Sequence, residues 1–321
     1  MQLALAIALA LVFALTNGLH DASNAIAALV ATRAARPLPA VCLAAVFNLL
    51  GPLLLGAAVA DTIGSIVAVE GPEAVPVITS ALLVAVAWNV STWMRGLPSS
   101  SGHALVGALV GAALVAGASI HWSAVIKTLV ALALSPLVGT LAGWLAIRGL
   151  RRSGRRWTRR WSGPVRGGSW ATSAALAFGH GANDASKSVG VIAALLLTSG
   201  HAQSLGSPTW ATLACASALT LGTALGGWRI VHTIGRGIVR LHPLDGVASQ
   251  GASAGVLVAA SALGAPVSTT QVVASAVVGT AGGRGRWRHV HWQLVRAIGL
   301  GWLLTLPVCA AAAAGLAGVW T

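Results

Sequence analysis

Long apolar runs alternate with short polar interruptions along the chain, and the order of the runs is the same in its two halves. The first half has a stretch interrupted by TNGLHDASN, a continuous span, two segments flanking GLPSSSG and a final span, at residues 2–32, 39–60, 75–95, 102–118 and 122–148. The second half repeats this order around GHGANDASK and GAPVSTT, at residues 169–199, 207–228, 244–263, 271–282 and 290–320. Several runs exceed the ~18 apolar residues that predict a membrane-spanning helix, so we expect an all-α polytopic membrane protein.

The composition supports this fold class. Of the 321 residues, 56% are hydrophobic and 8% are charged, and a water-soluble domain of this size would need many more charged residues to cover its surface. The N-terminal run is as apolar as a signal peptide, but no basic segment precedes it and it continues directly into HDASN. We therefore interpret it as a helix of the mature protein.

Most of the basic residues lie in short segments between the apolar runs. The net charge is +14, and its arginines cluster in residues 33–38, 149–168, 229–243 and 283–289. Such clusters beside membrane spans are typical of cytoplasmic loops, so the sequence predicts a multi-pass protein of the plasma (inner) membrane with a cytoplasmic basic linker. This distribution does not favour nucleic acid as a partner.

The positions of the basic segments also predict how the two halves are oriented. If all four segments are cytoplasmic, the first half starts outside and ends inside, whereas the second half starts inside and ends outside. Residues 75–118 and 244–282 then form re-entrant hairpins from opposite faces, and the halves are inverted-topology repeats with broken helices. We predict an N-terminal repeat over residues 1–148, a linker over 149–168 and a C-terminal repeat over 169–321.

The two hairpin breaks align without gaps, PSSSGHALVGALVG (98–111) on PVSTTQVVASAVVG (266–279). A proline and small hydroxyl residues before an apolar helix predict a helix start, where unpaired backbone N–H groups and the helix dipole attract an anion. Two such starts from opposite faces would form one anion site, with the candidate residues Ser99, Ser100, Ser101, Gly102, Ser268, Thr269, Thr270 and Gln271. The alternative is a proline kink whose hydroxyl groups bond back to their own helix.

An aspartate is repeated at equivalent positions of the two interrupted stretches. Asp21 aligns with Asp184 in NGLHDASN and GANDASKS, and each lies among Asn, Ser and Gly. A carboxylate at membrane depth costs about 2.5–3.5 kcal/mol and usually marks an ion path. Asp21 and Asp184 could ligate Na⁺ or carry H⁺, or could cap a helix that restarts after the interruption.

Other polar residues beside these aspartates are candidates for the same chemistry. Asn24 offers an amide group beside Asp21, and Asn183 is a candidate to bind the anion. His20, His103 and His180 could relay protons or act as hydrogen-bond partners.

Lys187 breaks the symmetry, because it stands where the first half has Asn24. An ammonium beside Asp184 would replace a bound cation or help to neutralise an anionic substrate, and it favours coupling to H⁺ rather than to two symmetric Na⁺ ions. The alternative is a structural ion pair between Lys187 and Asp184.

These motifs resemble the inorganic phosphate transporter (PiT) family over nearly the whole chain. NGxHDxxNAIA, GxNDxxKxxG and the paired hairpin stretches carry the resemblance, as does GWRIVHTIGRGIVRLHPLDG (227–246). The resemblance implies symport of inorganic phosphate with Na⁺ or H⁺ across an inverted-repeat fold, with Asp21, Asn24, Asn183 and Asp184 as the signature. Lys187 in place of a frequent Asn is similar to proton-coupled members that take phosphate as a metal–phosphate complex. Gln271 in place of a frequent His, and Gly102 in place of a frequent hydroxyl residue, are further departures.

The sequence therefore predicts a secondary active symporter and not an enzyme. The expected partners are inorganic phosphate or a metal–phosphate complex, membrane lipid and a second copy of the chain as a homodimer, and no cofactor is expected beyond co-transported Na⁺ or H⁺. A sulfate symporter of the same fold and an anion channel are alternatives. An intramembrane serine hydrolase, with Ser101 and a nearby His as a dyad, is the alternative from another class.

Overall fold

The computed structural model describes residues 2–66, 73–154, 161–225, 233 and 237–319, apart from the side chains of residues 22 and 23. Within these residues the protein is helical and contains no strand. The described α-helices are α1 Gln2–Ala31, α2 Pro37–Leu55, α3 Ala57–Ile66, α4 Ala74–Met94, α5 Ser101–Val115, α6 Trp122–Ser153, α7 Ser162–Thr198, α8 Thr209–Leu225, α9 Pro243–Ala262, α10 Thr269–Gly283 and α11 Trp292–Ala317. A 3₁₀ turn, Trp287–His289, precedes α11. The predicted all-α fold class is confirmed.

Five of the described helices, α1, α2, α4, α6 and α11, are long and apolar enough to cross a membrane. Three shorter apolar helices, α3, α5 and α8, lie between them. Exposed leucines and valines cover the outside of this bundle, including Leu54, Leu137 and Leu303. An apolar surface over spanning helices is what lipid requires, so the chain is a multi-pass membrane protein.

The two hairpin breaks lie where the sequence places them. α4 and α5 pack against each other across the break at residues 98–100, and α9 and α10 do so across residues 264–268. Each break is followed by the predicted new helix, starting at Ser101 and at Thr269.

The interruptions predicted inside residues 2–32 and 169–199 are wrong. α1 runs through residues 16–24 and α7 through 179–187 without a break, so Asp21 and Asp184 lie within helices and cap neither. Apart from Thr16, whose hydroxyl donates to the carbonyl of Phe13, the bonded polar side chains of these segments contact other side chains or other helices instead of their own backbone. The helical i→i−4 bonds therefore stay intact, and the glycines serve close packing.

Two other predicted boundaries also shift. α2 ends before Gly56 and α3 follows, so the apolar span predicted over residues 39–60 is two helices. Residues 61–66, which the sequence places after that span, are helical, and 67–72 lie outside the described residues. α6 and α7 extend into the predicted linker 149–168 from both sides, and residues 155–160 lie outside the described part.

The helix contacts come in equivalent pairs. When the two halves are aligned, the following contacts of a helix in the first half correspond to contacts of the matching helix in the second half. α5 packs on α11 and α10 packs on α6, so each hairpin helix contacts the last helix of the other half. Likewise α1 packs on α8 and α7 packs on α2. The halves therefore interlock. This pairing is what a duplicated chain requires, whereas the domain limits and the opposite orientation of the halves in a membrane stay predictions.

Glycines allow the closest of these helix contacts. A Cβ on Gly18 would overlap the carbonyl of Leu219 in α8, and one on Gly222 would overlap the carbonyl of Leu15 in α1. In the aligned pair, a Cβ on Gly181 would overlap the carbonyl of Asn48 in α2. The conformational cost of glycine within a helix is thus offset by backbone contact, as at other small-residue interfaces between membrane helices.

Replacing Gly18 with alanine is expected to destabilise the fold, because α1 and α8 must separate to accept the methyl group. Overpacking of this kind costs about 1–3 kcal/mol, so the unfolding midpoint of G18A in detergent should fall. The matched control is G301A in α11, where no atom of the described residues lies within 4 Å of the added Cβ. Alanine is the better helix former there, and the midpoint should stay or rise. Equal midpoints for the two variants would contradict the packing argument.

Candidate functional site

α1 and α7 bring the two aspartates of the repeated motif together inside the protein. Ligand atoms of Asp21, Asp184 and His180 all lie within 4.8 Å of one another, and all three residues are buried. Two buried carboxylates this close repel each other strongly unless protons, cations or hydrogen-bond donors compensate. The surrounding residues provide such compensation.

The second hairpin supplies hydroxyl donors to both carboxylates. Thr269 Oγ1 donates to Asp184 Oδ2 at 2.7 Å and lies 3.5 Å from Asp21 Oδ2. Thr270 Oγ1 donates to Asp21 Oδ1 at 2.7 Å and accepts from Asn24 Nδ2 at 3.2 Å. The start of α10 is therefore fixed between α1 and α7 by the two aspartates.

Lys187 is fully buried and forms an ion pair with Asp184 one helical turn before it. Its Nζ also donates to the carbonyl of Val267 at 2.9 Å, in the break of the second hairpin. The same Nζ lies 3.5 Å from the point where a Cβ on Gly102 would sit, at the start of α5. The ammonium thus lies between the two hairpin breaks and is the positive charge closest to the paired carboxylates in the described part of the chain.

His20 connects Asp21 to the first hairpin. Its Nδ1 lies 3.0 Å from Asp21 Oδ1, and its Nε2 lies 3.2 Å from Ser99 Oγ and 3.3 Å from Thr92 Oγ1. Thr92 and Ser99 are themselves 2.9 Å apart. A continuous line of polar groups therefore runs from the first hairpin break to Asp21.

His180 makes a second line of polar groups on the other side of the carboxylates. Its Nε2 lies 3.2 Å from Asp184 Oδ2, and its Nδ1 lies 2.9 Å from Asn48 Oδ1. Asn48 Nδ2 in turn donates to Thr223 Oγ1 at 3.0 Å. The two histidines are not equivalent by sequence, because His20 aligns with Asn183 and His180 with Asn17.

Both hairpin helices begin with the same capping bond. Ser100 Oγ accepts from the backbone N–H of His103 at 3.3 Å, and Ser268 Oγ accepts from that of Gln271 at 3.3 Å. The alternative that the hydroxyls bond back to their own helix thus holds for these two residues. Their hydroxyl protons are still able to donate to an anion. Ser101 is the buried first residue of α5.

Three buried amide oxygens near the carboxylates have no hydrogen-bond donor within the described part of the chain: Asn24 Oδ1, Asn183 Oδ1 and Gln271 Oε1. The amide nitrogen of Asn183 is satisfied by Ser261 and by the carbonyl of Ala265. Buried acceptors of this kind are costly unless a ligand, water or cation completes them.

A cavity of about 410 Å³ lies beside this cluster, at the break between α2 and α3. Ser186, Thr212 and Ser261 line it with hydroxyl groups, and the Ser261 hydroxyl contacts Asn183. The cavity therefore reaches to within one side chain of Asn183, the neighbour of Asp184 in the chain.

The sequence prediction missed Thr92, Asn48 and Ser261. A signal was present for Asn48, because an Asn in the apolar span VFNLLG is unusual at membrane depth. Thr92 and Ser261 carry no such signal, since hydroxyl residues are common in membrane helices with their oxygen bonded to the preceding turn.

The hydrolase alternative expects a Ser–His dyad at Ser101, and the structure pairs the nearby histidine with a different serine. The ring of His103 lies 2.8 Å from the oxygen of Ser100, the residue that caps α5. That oxygen already accepts a backbone bond, and the interaction is a capping arrangement rather than an activated nucleophile.

Comparison with known proteins identifies what kind of protein has this site. Residues 17–165 and 154–313 match the phosphate transporter family. The chain is 40% identical to a protein of Rhizobium meliloti named "Probable low-affinity inorganic phosphate transporter", with 95% of this chain and 92% of that protein covered. A protein of the same name from Bacillus subtilis is 36% identical, with coverage of 94% and 92%.

The fold is also that of a solved structure described as "The sodium-dependent phosphate transporter". The TM-score is 0.86 at 23% sequence identity, and the match covers 99% of this chain and 98% of the other. All of these similar proteins are transporters, and none is named as a hydrolase or as a sulfate carrier. The resemblance seen in the sequence motifs is confirmed, and the chain belongs to the phosphate transporter family.

Proposed function

We propose that this protein is a symporter that imports inorganic phosphate together with protons. The observation that carries the proposal is the buried ion pair of Lys187 and Asp184, which lies between the two hairpin breaks and beside Asp21. Membership of the phosphate transporter family indicates the substrate class, and the charges around Asp21 and Asp184 support coupling of phosphate to protons.

The phosphate ion is proposed to bind where the hairpin breaks face Lys187. The starts of α5 and α10 each offer hydroxyl groups and a positive helix end to an anion. The unpaired amide oxygens of Asn24, Asn183 and Gln271 accept hydrogen bonds from the P–OH groups of protonated phosphate. Sulfate carries no such proton at neutral pH, so these acceptors favour phosphate over sulfate.

Coupling follows from the balance of charges. Lys187 neutralises Asp184 permanently, which leaves Asp21 as the carboxylate that would repel an arriving anion. A proton on Asp21, or on His20 bonded to it, removes this repulsion. The line of polar groups from Ser99 through Thr92 and His20 offers the proton a route to Asp21.

Sodium is the second candidate for the coupling ion, supported by the name of the structural neighbour. Na⁺ prefers oxygen ligands, whereas the cluster of Asp21 and Asp184 here includes a histidine nitrogen and an ammonium group. If the cargo is a metal–phosphate complex, Asp21, His180 and Asp184 would contact its metal.

Transport itself is proposed to occur as the two halves move relative to each other and open the site to each face of the membrane alternately.

Replacement of Asp21 by Asn tests the proposed coupling. In proteoliposomes, an imposed inward proton gradient should drive accumulation of labelled phosphate by the wild type, whereas D21N should exchange phosphate across the membrane without accumulating it. D61N, which changes an exposed aspartate of α3, is the control and should behave as the wild type. If phosphate uptake by the wild type does not change when a proton gradient or a sodium gradient is imposed, symport is excluded.

Replacement of Thr269 tests the bridge between the carboxylates. T269V removes a buried donor shared with Asp184 and Asp21, which costs about 1–3 kcal/mol. We therefore expect the KM for phosphate to rise roughly 5- to 150-fold, with initial uptake rates as the measurement. T269S keeps the hydroxyl and should restore most of the affinity, and a T269S variant as impaired as T269V would contradict this role.

Replacement of Lys187 by its aligned residue tests the choice of coupling ion. K187N removes the fixed cation and places an amide oxygen near Asp184, as Asn24 does in the first half. Phosphate uptake by K187N should become dependent on external Na⁺, while the wild type should respond to the proton gradient alone. Sodium stimulation of both proteins to the same extent would show that Lys187 does not replace a cation.

A further inference from the structure

A cavity of about 760 Å³ lies between the C-terminal ends of α6 and α10, away from the proposed transport site. Arg148, Arg151 and Arg152 of α6 line one side, and glycines 282, 283 and 285 line the other. All three arginines are exposed. In the part of the chain that the structure describes, no carboxylate lies within ion-pair distance of any of them. The cavity is therefore strongly positive and open to a ligand.

The packing of α10 on α6 fixes the shape of this cavity. A Cβ on Gly283 would overlap the side chain of Ile147, so the end of α10 lies directly against α6. Gly149, on the cavity side of α6, has no neighbour within 4 Å of a Cβ among the residues that the structure describes. Open space therefore adjoins the arginines on this side of α6.

An apolar stripe on the surface of α6 leads directly to these arginines. Its leucines lie three or four residues apart, at Leu134, Leu137, Leu141 and Leu145, and they are 47%, 67%, 58% and 54% exposed. The same spacing continues to Arg148 and Arg152, so the charged groups and the leucines share one face of the helix. This face changes from apolar to cationic within a single turn.

Trp144 lies at this transition. Its ring is stacked by the Arg148 guanidinium, with 4.5 Å between Cζ and the ring centroid. Tryptophan is enriched at the boundary between hydrocarbon and headgroups, and the stacked guanidinium keeps its donors directed away from the ring. A tryptophan and arginines at this transition indicate that the cavity lies at the depth of the lipid headgroups.

We propose that this cavity binds an acidic phospholipid, with its phosphate among the three arginines and an acyl chain along the leucine stripe of α6. Guanidinium groups bind phosphate oxygens in pairs of parallel hydrogen bonds, and basic pockets at the ends of membrane helices are suited to anionic headgroups. A soluble anion would use the arginines but would leave the leucine stripe without a partner. A lipid uses both features of the same helix face.

The test measures lipid binding to the purified full-length protein by native mass spectrometry, with phosphatidylglycerol and phosphatidylcholine of identical acyl chains as probes. The test variant combines R148Q, R151Q and R152Q. The matched control combines R36Q, R288Q and R296Q, which removes the same charge from exposed arginines that do not line the cavity.

The wild type and the control should retain phosphatidylglycerol in preference to phosphatidylcholine. The test variant should bind phosphatidylglycerol at least about tenfold more weakly, since each basic residue near an anionic headgroup contributes about a fivefold effect. Binding of phosphatidylcholine should not change. An equal loss in test and control variants would mean that only total charge matters, and would overturn the proposal.

Two further measurements separate a lipid from other occupants. Glycerol 3-phosphate at millimolar concentration should not displace the bound phospholipid, and displacement would identify a soluble-anion site instead. L141A combined with L145A should weaken phosphatidylglycerol binding in proteins that retain all three arginines. If that variant instead converts a dimer into a monomer with unchanged lipid binding, the stripe is a contact between two copies of the chain and the proposal is wrong.

Discussion

Two carboxylates in the interior of a membrane protein must be neutralised, and the arrangement around Asp21 and Asp184 meets this requirement. Lys187 pairs with Asp184 from the same helix, and Thr269 and Thr270 donate to both carboxylates from the second hairpin. Asp21 belongs to the first half, whereas Lys187 and the two threonines belong to the second, so the site forms only when the two halves are assembled. Asp21 has no lysine or arginine partner of this kind in the described part of the chain, which is why we propose it as the group whose charge changes during transport.

The interlocked helices give this cluster its position. Each hairpin helix packs on the last helix of the other half, and the glycines of the repeated motifs allow α1 and α7 to contact α8 and α2 at backbone distance. Because the hairpins are held by the opposite half, a movement of one half would displace the hairpin start that faces the aspartates. Substrate binding and the opening of the site are then coupled through ordinary packing.

The symmetry of the sequence is not the symmetry of the site. Both aspartates contact the second hairpin through threonines, whereas the first hairpin contacts the cluster through His20 and faces Lys187. His20 and His180 occupy positions that do not align, and each carries its own line of polar partners. The two repeats thus differ in their chemistry, because the second half has the ammonium of Lys187 where the first half has the amide of Asn24.

Much of this protein could be predicted from its residues alone. The apolar runs determine an all-helical membrane fold because lipid requires every backbone group to be hydrogen-bonded, and a continuous apolar run of about 20 residues meets this requirement as a helix. The two breaks with proline and hydroxyl residues determine where the hairpin helices start, because local capping chemistry decides that point. Only the tertiary structure decided that α1 and α7 run unbroken through their polar motifs, that Asn48 and Thr92 complete the cluster, and which hairpin each aspartate contacts. Those outcomes depend on partners that lie up to 249 positions away along the chain, as Thr270 does from Asp21, and no local pattern encodes contacts made over that distance.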